Sequence, residues 1–347
     1  MKRILYISIC SLIIVCSANK SWAQQLGIFT NYMLNDYYYN PAVVGSKDIT
    51  IANISYRNQW AGFTEAPTTY MGSVYGSYQG KRKIGLGATV IGGRSGLLQR
   101  TGGYFTYAHH FDLTKDKKLR LGLGLSGGYI QYRMKLYDAR VIDNGDDMLT
   151  GNVLTSGAFD ANSGVYLYHE KFFIGLSGNQ LLNYKLPFDN SNSRLKPHVY
   201  FMGGYNFKFG ESKTGADGKA INEKKNELQP SFMLRSSNNR TTLQTDFSLK
   251  YTYNKMFWIG ATYRTESAIC ALLGFNYKDR FNVAYAYDYA LNKINQYSSG
   301  SHEFWLSYTL SKKKRDLEKE EEELENGVQS IYRQQQLQQK KEEDEKK

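Results

Sequence analysis

The sequence predicts an all-β chain: an antiparallel outer-membrane β-barrel of about fourteen strands, with an N-terminal plug-like segment and a charged C-terminal tail, helical or disordered. Three observations predict it. Apolar and aromatic residues recur at every second position in segment after segment, with turn residues between them. That two-residue period belongs to strands with one apolar and one polar face. The chain opens with the pattern of a secretion signal. Nothing after that pattern is long and apolar enough for a spanning helix, which leaves barrel strands as the way to cross a membrane.

The elements follow in order. Lys2 and Arg3 form a basic start, Ile4 to Cys16 an apolar run, and Ser21-Trp22-Ala23 a small-residue cleavage site. Residues 1–23 therefore read as a signal peptide, with the mature chain beginning at Gln24. The stretch is short for a membrane anchor. A lipoprotein signal centred on Cys16 fits poorly, because Val15 stands where a small residue is needed. Residues 24–310 form the expected barrel domain. Its first part, residues 24–47, lacks alternation and carries Asn31-Tyr32, Tyr37-Tyr38-Tyr39 and Asn40-Pro41. It is expected to tuck into or against the barrel.

Fourteen strands are expected: Thr50–Gln59, Thr68–Gln79, Lys83–Ile91, Leu98–Leu113, Lys118–Tyr132, Gly157–His169, Lys171–Asn179, Leu195–Phe209, Leu228–Arg235, Thr241–Tyr253, Met256–Arg264, Ala268–Tyr277, Arg280–Tyr289 and Ser301–Leu310. An even number suits a bacterial barrel. Alternation is sharp where Leu119, Leu121, Leu123 and Leu125 oppose Arg120, Gly122, Gly124 and Ser126. It is equally sharp where Phe281, Val283, Tyr285, Tyr287 and Tyr289 interleave with Asn282, Ala284, Ala286 and Asp288. Lipid outside and a polar lumen explain both rows. The 29 tyrosines suit aromatic girdles, since a phenol is apolar along its ring and wet at its tip. Asn238-Asn239 and Lys278-Asp279 read as tight turns. Leu136–Ser156, Gln180–Arg194 and Glu211–Glu227 read as longer connections, expected on the outer side. The first holds Asp138, Asp143, Asp146 and Asp147, whose spacing does not match a calcium loop. After Ser311 the chain turns to Lys, Glu and Gln; residues 311–347 are expected to be a charged periplasmic tail.

Composition narrows the function classes. Of 3 cysteines, Cys10 and Cys16 belong to the signal, so a disulfide-stapled fold is excluded. Cys270 reads as a small inward residue on a strand. The net charge of +12 suits anionic lipid headgroups or an acidic partner; no nucleic-acid motif accompanies it. Gly85-Leu86-Gly87 and Gly122-Leu123-Gly124 lie inside strands without a following Gly-Lys-Ser/Thr, so they read as strand glycines that let a barrel bend rather than phosphate loops. His109-His110 and His302-Glu303 point to opposite faces and cannot share a metal. No nucleophile stands beside a base. Catalytic residues, metal ligands and cofactors are therefore not expected. Arg57 and Asn58 fall on opposite faces of the first strand. An inward Arg57 would need carboxylates, and Asp246, Asp288 and Glu303 are the candidates. Such a network would pin Gln25–Lys47 as a plug; the alternative is that these residues serve barrel closure alone.

Two stretches are more specific. Thr30-Asn31-Tyr32 leads to Tyr39-Asn40-Pro41-Ala42-Val43-Val44-Gly45-Ser46, then Tyr56-Arg57-Asn58-Gln59-Trp60 and Pro67-Thr68-Thr69-Tyr70. Near the end, Tyr285-Ala286-Tyr287-Asp288-Tyr289 precedes Ser299-Gly300-Ser301-His302-Glu303-Phe304. In order and spacing they resemble the PorP/SprF family of type IX secretion system membrane proteins from Bacteroidetes, over about Gln25 to Leu310. Asn31 replaces the family's usual Gln, and Ala286 a usual Ser. The resemblance implies a non-enzymatic outer-membrane component that supports secretion or surface attachment of a partner such as a gliding adhesin. Its implied partners are the secreted substrate or its C-terminal sorting domain, periplasmic ring or peptidoglycan-linked components, and outer-membrane lipid. It marks Asn40, Pro41, Gly45, Arg57, Asn58, Gln59, Trp60, Asp288, Gly300, His302 and Glu303 as motif residues of unassigned role. The other reading is an outer-membrane channel for small or hydrophobic solutes.

Overall fold

The computed structural model describes residues 29–78, 83–135, 153–185, 194–210, 226–237, 243–278 and 280–310. A one-turn helix α1 (Asp36–Tyr39) and a 3-10 turn (Pro41–Val43) precede the strands β1 (Thr50–Asn58), β2 (Thr68–Ser77), β3 (Ile84–Ser95), β4 (Leu98–Asp112), β5 (Arg120–Lys135), β6 (Val153–Tyr168), β7 (Phe172–Asn179), β8 (His198–Tyr205), β9 (Phe207–Phe209), β10 (Asn226–Ser237), β11 (Leu243–Tyr253), β12 (Phe257–Arg264), β13 (Ala268–Tyr277), β14 (Phe281–Ala290) and β15 (Ser301–Thr309). Segments β8 and β9 both pair with β10 and are halves of one stave, interrupted at Asn206. The fifteen segments therefore make fourteen staves. Each pairs antiparallel with its sequence neighbours, and β1 pairs with β15 to close the sheet on itself. Closure removes the free sheet edges that hydrocarbon cannot tolerate.

The alternation sets the two faces. On β5, Leu123 and Leu125 point outward while Gly122, Gly124 and Ser126 point into the lumen. On β15, Phe304 and Leu306 face out and Glu303, Trp305 and Ser307 face in. The tyrosines divide between the faces. Tyr70, Tyr129, Tyr263 and Tyr289 are outward-facing, but Tyr75, Tyr132, Tyr166, Tyr168 and Tyr200 are buried inside. A girdle role alone is thus too narrow, because the lumen needs phenols as hydrogen-bonding fillers.

Some boundaries differ from expectation. Strand β6 begins at Val153, inside the expected long connection, where it continues its pairing with Lys135 of β5. Strand β3 runs on to Ser95 against Leu98 of β4. Antiparallel order puts the connection between Phe209 and Asn226 at the barrel end that holds Thr50 and Thr309. The connections after Lys135 and Asn179 lie at the opposite end. All three long connections are expected on the outer side, but the third lies at the end opposite the other two; strand parity, not loop length, fixes the side. The signal peptide, the aspartate-rich loop, the Asn238-Asn239 turn, Asp279 and the 311–347 tail fall outside the described residues.

Candidate functional site

The lumen is occupied by the chain itself. Phe29, Thr30, Asn31, Tyr32, Asn35, Tyr37, Tyr39, Asn40, Ala42, Val43 and Val44 are all buried. The segment from Phe29 to Ser46 is short of regular structure and holds its shape by local bonds. Tyr39 Oη accepts from the Phe29 backbone N–H at 2.9 Å and donates to the Phe29 carbonyl at 3.0 Å, closing an eleven-residue loop. The Asn40 side chain caps the 3-10 turn by accepting from Ala42 N–H at 2.9 Å. Pro41 starts that turn, a position where its missing N–H costs nothing.

One half of the segment rests on glycines. Gly85, Gly87, Gly122, Gly124, Gly164 and Gly175 are spread over β3, β5, β6 and β7. A Cβ on Gly85 would overlap the Val44 carbonyl, and one on Gly124 would stand 2.6 Å from Ala42 Cα. On Gly122 it would reach the Ala42 carbonyl oxygen at 2.8 Å, and on Gly87 the Tyr37 hydroxyl at 2.8 Å. On Gly164 it would overlap Asn40 Oδ1. Gly45 adopts φ +84°, which favours glycine, and sits against Gly85 Cα. So the strand glycines are needed for close backbone approach to the plug, rather than for bending alone. Side chains finish the seat. His110 Nε2 lies 2.7 Å from the Val44 carbonyl, Asn40 donates to the Val165 carbonyl at 3.0 Å, and Ser177 donates to the Tyr39 carbonyl at 2.7 Å.

The other half is held by ions. Arg57 faces Glu303 across the β1–β15 pairing. Its Nη2 donates to Asp288 at 2.6 Å and its Nη1 to Glu303 at 3.2 Å. Arg264 bridges Asp288 at 3.4 Å and Asp246 at 3.2 Å, and Arg235 pairs with Asp246. Three guanidiniums alternate with three carboxylates, and all six are buried. The plug enters this network directly. Glu303 accepts the backbone N–H of Thr30 at 2.6 Å and of Asn31 at 3.1 Å. Thr30 Oγ1 donates to Asp288 at 2.7 Å and accepts from Arg57 at 2.6 Å. Buried charges are tolerable only when each is paired and hydrogen-bonded. Here the plug supplies three of the donors or acceptors that satisfy them.

The motif residues separate into two sets. Asn40, Pro41, Gly45, Arg57, Asp288 and Glu303 meet at the plug. Asn58, Gln59, Trp60, Gly300 and His302 lie at the rim instead. Gln59 N–H donates to the Pro67 carbonyl at 2.8 Å, Trp60 N–H to Ser301 Oγ at 3.0 Å, and Ala61 N–H to the Gly300 carbonyl at 2.8 Å. His302 pairs opposite Asn58 and meets Tyr285 Oη at 2.7 Å on the outer face. Sequence reasoning missed Thr30, Tyr39, Arg235 and Arg264 as participants, and misjudged the glycines. The available signal was parity: Gly85, Gly87, Gly122 and Gly124 share the lumenal phase of their strands. No group of three or more metal-ligating side chains occurs among the described residues. Cys270 is fully buried among Trp258, Ala286 and Trp305.

The architecture is similar to several solved barrels. These are the toluene transporter TbuX of Ralstonia pickettii (TM-score 0.47, 10% identity, 78% of this chain and 92% of that one), the CymD monoaromatic hydrocarbon channel (0.46, 10%, 83% and 94%) and the toluene transporter TodX of Pseudomonas putida (0.43, 10%, 82% and 94%). At such identities the likeness concerns barrel architecture alone. No curated protein matches the chain. The model of the type IX secretion system membrane protein PorP/SprF family matches residues 21–308, and this outer-membrane β-barrel belongs to that family.

Proposed function

We propose that the protein is a plugged, non-enzymatic scaffold of the type IX secretion system, which supports secretion or surface attachment of a partner protein such as a gliding adhesin. The observation that carries this reading is the fixed occupancy of the lumen by Phe29–Ser46, seated on glycine and tied into six buried charges. A barrel so filled offers its two rims, not its bore, to partners. The outer rim would meet the secreted substrate or its C-terminal sorting domain. The opposite rim, with the 311–347 tail, would meet periplasmic ring or peptidoglycan-linked components. Motif residues Asn58, Gln59, Trp60, Gly300 and His302 build the outer rim and are proposed to shape it for the substrate.

The test is copurification from solubilised outer membrane, with and without residues 311–347, alongside surface display in a strain lacking the protein. The reading expects one dominant secreted partner with the barrel, and loss of periplasmic components when the tail is removed. Unchanged surface display in the deletion strain would defeat it. A second reading, a channel for small or hydrophobic solutes, is favoured by one observation, a cavity inside the barrel beside Tyr37 and Tyr38. It would require the plug to leave its seat.

A further inference from the structure

That cavity lies between the plug and the lumenal faces of β3 to β7. Its floor is Tyr37, Tyr38 and Pro41 of the plug, and Gln180, just past β7, also lines it. The side chains around it are arranged unevenly. Asp160 is 3% exposed; its carboxylate accepts from Tyr104 Oη at 2.9 Å and from Ala161 N–H at 2.8 Å. Among the described residues it makes no ion pair, unlike the carboxylates of the Arg57 network. Asn179 donates its amide to the Tyr38 carbonyl at 3.3 Å, which leaves Oδ1 buried without a protein partner. Gln180, 1% exposed, likewise keeps Oε1 buried and unpartnered. Its backbone is held at φ +59°, with its N–H on Asn162 Oδ1 at 3.0 Å, so the side chain is fixed where it is by a strained turn. The lining's cation, Arg100, is engaged with the Tyr38 hydroxyl.

The cavity thus gathers one carboxylate lacking a cation, two amide oxygens lacking donors, and the phenol rings of Tyr37, Tyr38 and Tyr104. Buried acceptors without donors are uncommon in folded proteins and call for a ligand or ordered water. Aromatic faces beside a carboxylate attract organic cations. We propose that this cavity binds a small primary alkylammonium, its N–H groups directed to Asp160, Asn179 and Gln180 and its alkyl part against the tyrosines. A primary amine suits the site better than a quaternary one, since the acceptors need N–H donors. The site is independent of the scaffold reading and of any partner at the rims.

The full chain in detergent is titrated calorimetrically with propylammonium, 1-propanol and tetramethylammonium. Propylammonium is expected to bind, 1-propanol and tetramethylammonium to bind at least tenfold more weakly. Asp160→Asn should weaken propylammonium at least tenfold. Because Asp160→Asn could disturb folding, Gln180→Leu provides a second variant, with circular dichroism reporting the barrel; it should weaken propylammonium with strand content intact. Equal binding of propylammonium and 1-propanol would overturn the proposal, as would absence of propylammonium binding to the folded wild-type chain, which would leave water as the occupant.

Discussion

Arg57 shows how one residue can hold a segment distant in sequence. Its guanidinium satisfies Asp288 and Glu303 and donates to Thr30. Arg57→Ala would leave buried Glu303 without its cation and Asp288 with only the longer Arg264 contact, a change that costs about 3–5 kcal/mol. It should lower the unfolding temperature of the detergent-solubilised barrel and speed hydrogen exchange at Thr30 and Asn31. Unchanged stability and exchange would mean that these residues serve barrel closure alone. Glycines give a matched comparison. Gly124→Ala would drive a methyl into Ala42 of the plug, whereas an added Cβ on outward Gly127 meets nothing within 4 Å. Gly124→Ala should destabilise by about 1–3 kcal/mol and Gly127→Ala should be near neutral, as read by thermal melting in detergent. Equal effects would show that the glycine seat does not bear on the plug.

At the scale of elements, the staves were legible and the plug only in outline. Period-two patterning found all fourteen staves because the lipid face and the lumen differ so sharply in polarity. It missed the break at Asn206 and the start of β6, which depend on pairing partners rather than on local pattern. The plug has no period to read: its shape comes from bonds such as Tyr39 to Phe29, and from contacts with strands far along the chain. Arg57, Asp288 and Glu303 could be named from inward parity and charge. Arg264 and Arg235 could not, since parity alone does not say which basic residues meet. Tyr39→Phe removes the acceptor for a buried N–H and should cost about 1–3 kcal/mol. Faster exchange of the Phe29 amide relative to the β5 amides would report a loosened loop within an intact barrel. Uniform acceleration of both would argue that the plug and barrel unfold as one unit.

For the whole molecule, closure and plugging have different physical origins. The sheet closes because unpaired strand edges are intolerable in lipid. The lumen is filled where buried charges on β1, β14 and β15 take the hydrogen bonds that Thr30 and Asn31 bring. Family membership places this filled barrel in the type IX secretion system. The proposed scaffold role rests on that filled bore. Conductance in planar bilayers tests that claim most directly, comparing the purified full chain with a variant in which residues 29–46 are replaced by a Gly/Ser linker. The wild-type barrel should show no steady conductance and the variant should show large open steps. Large steady pores in the wild type would contradict a plugged scaffold.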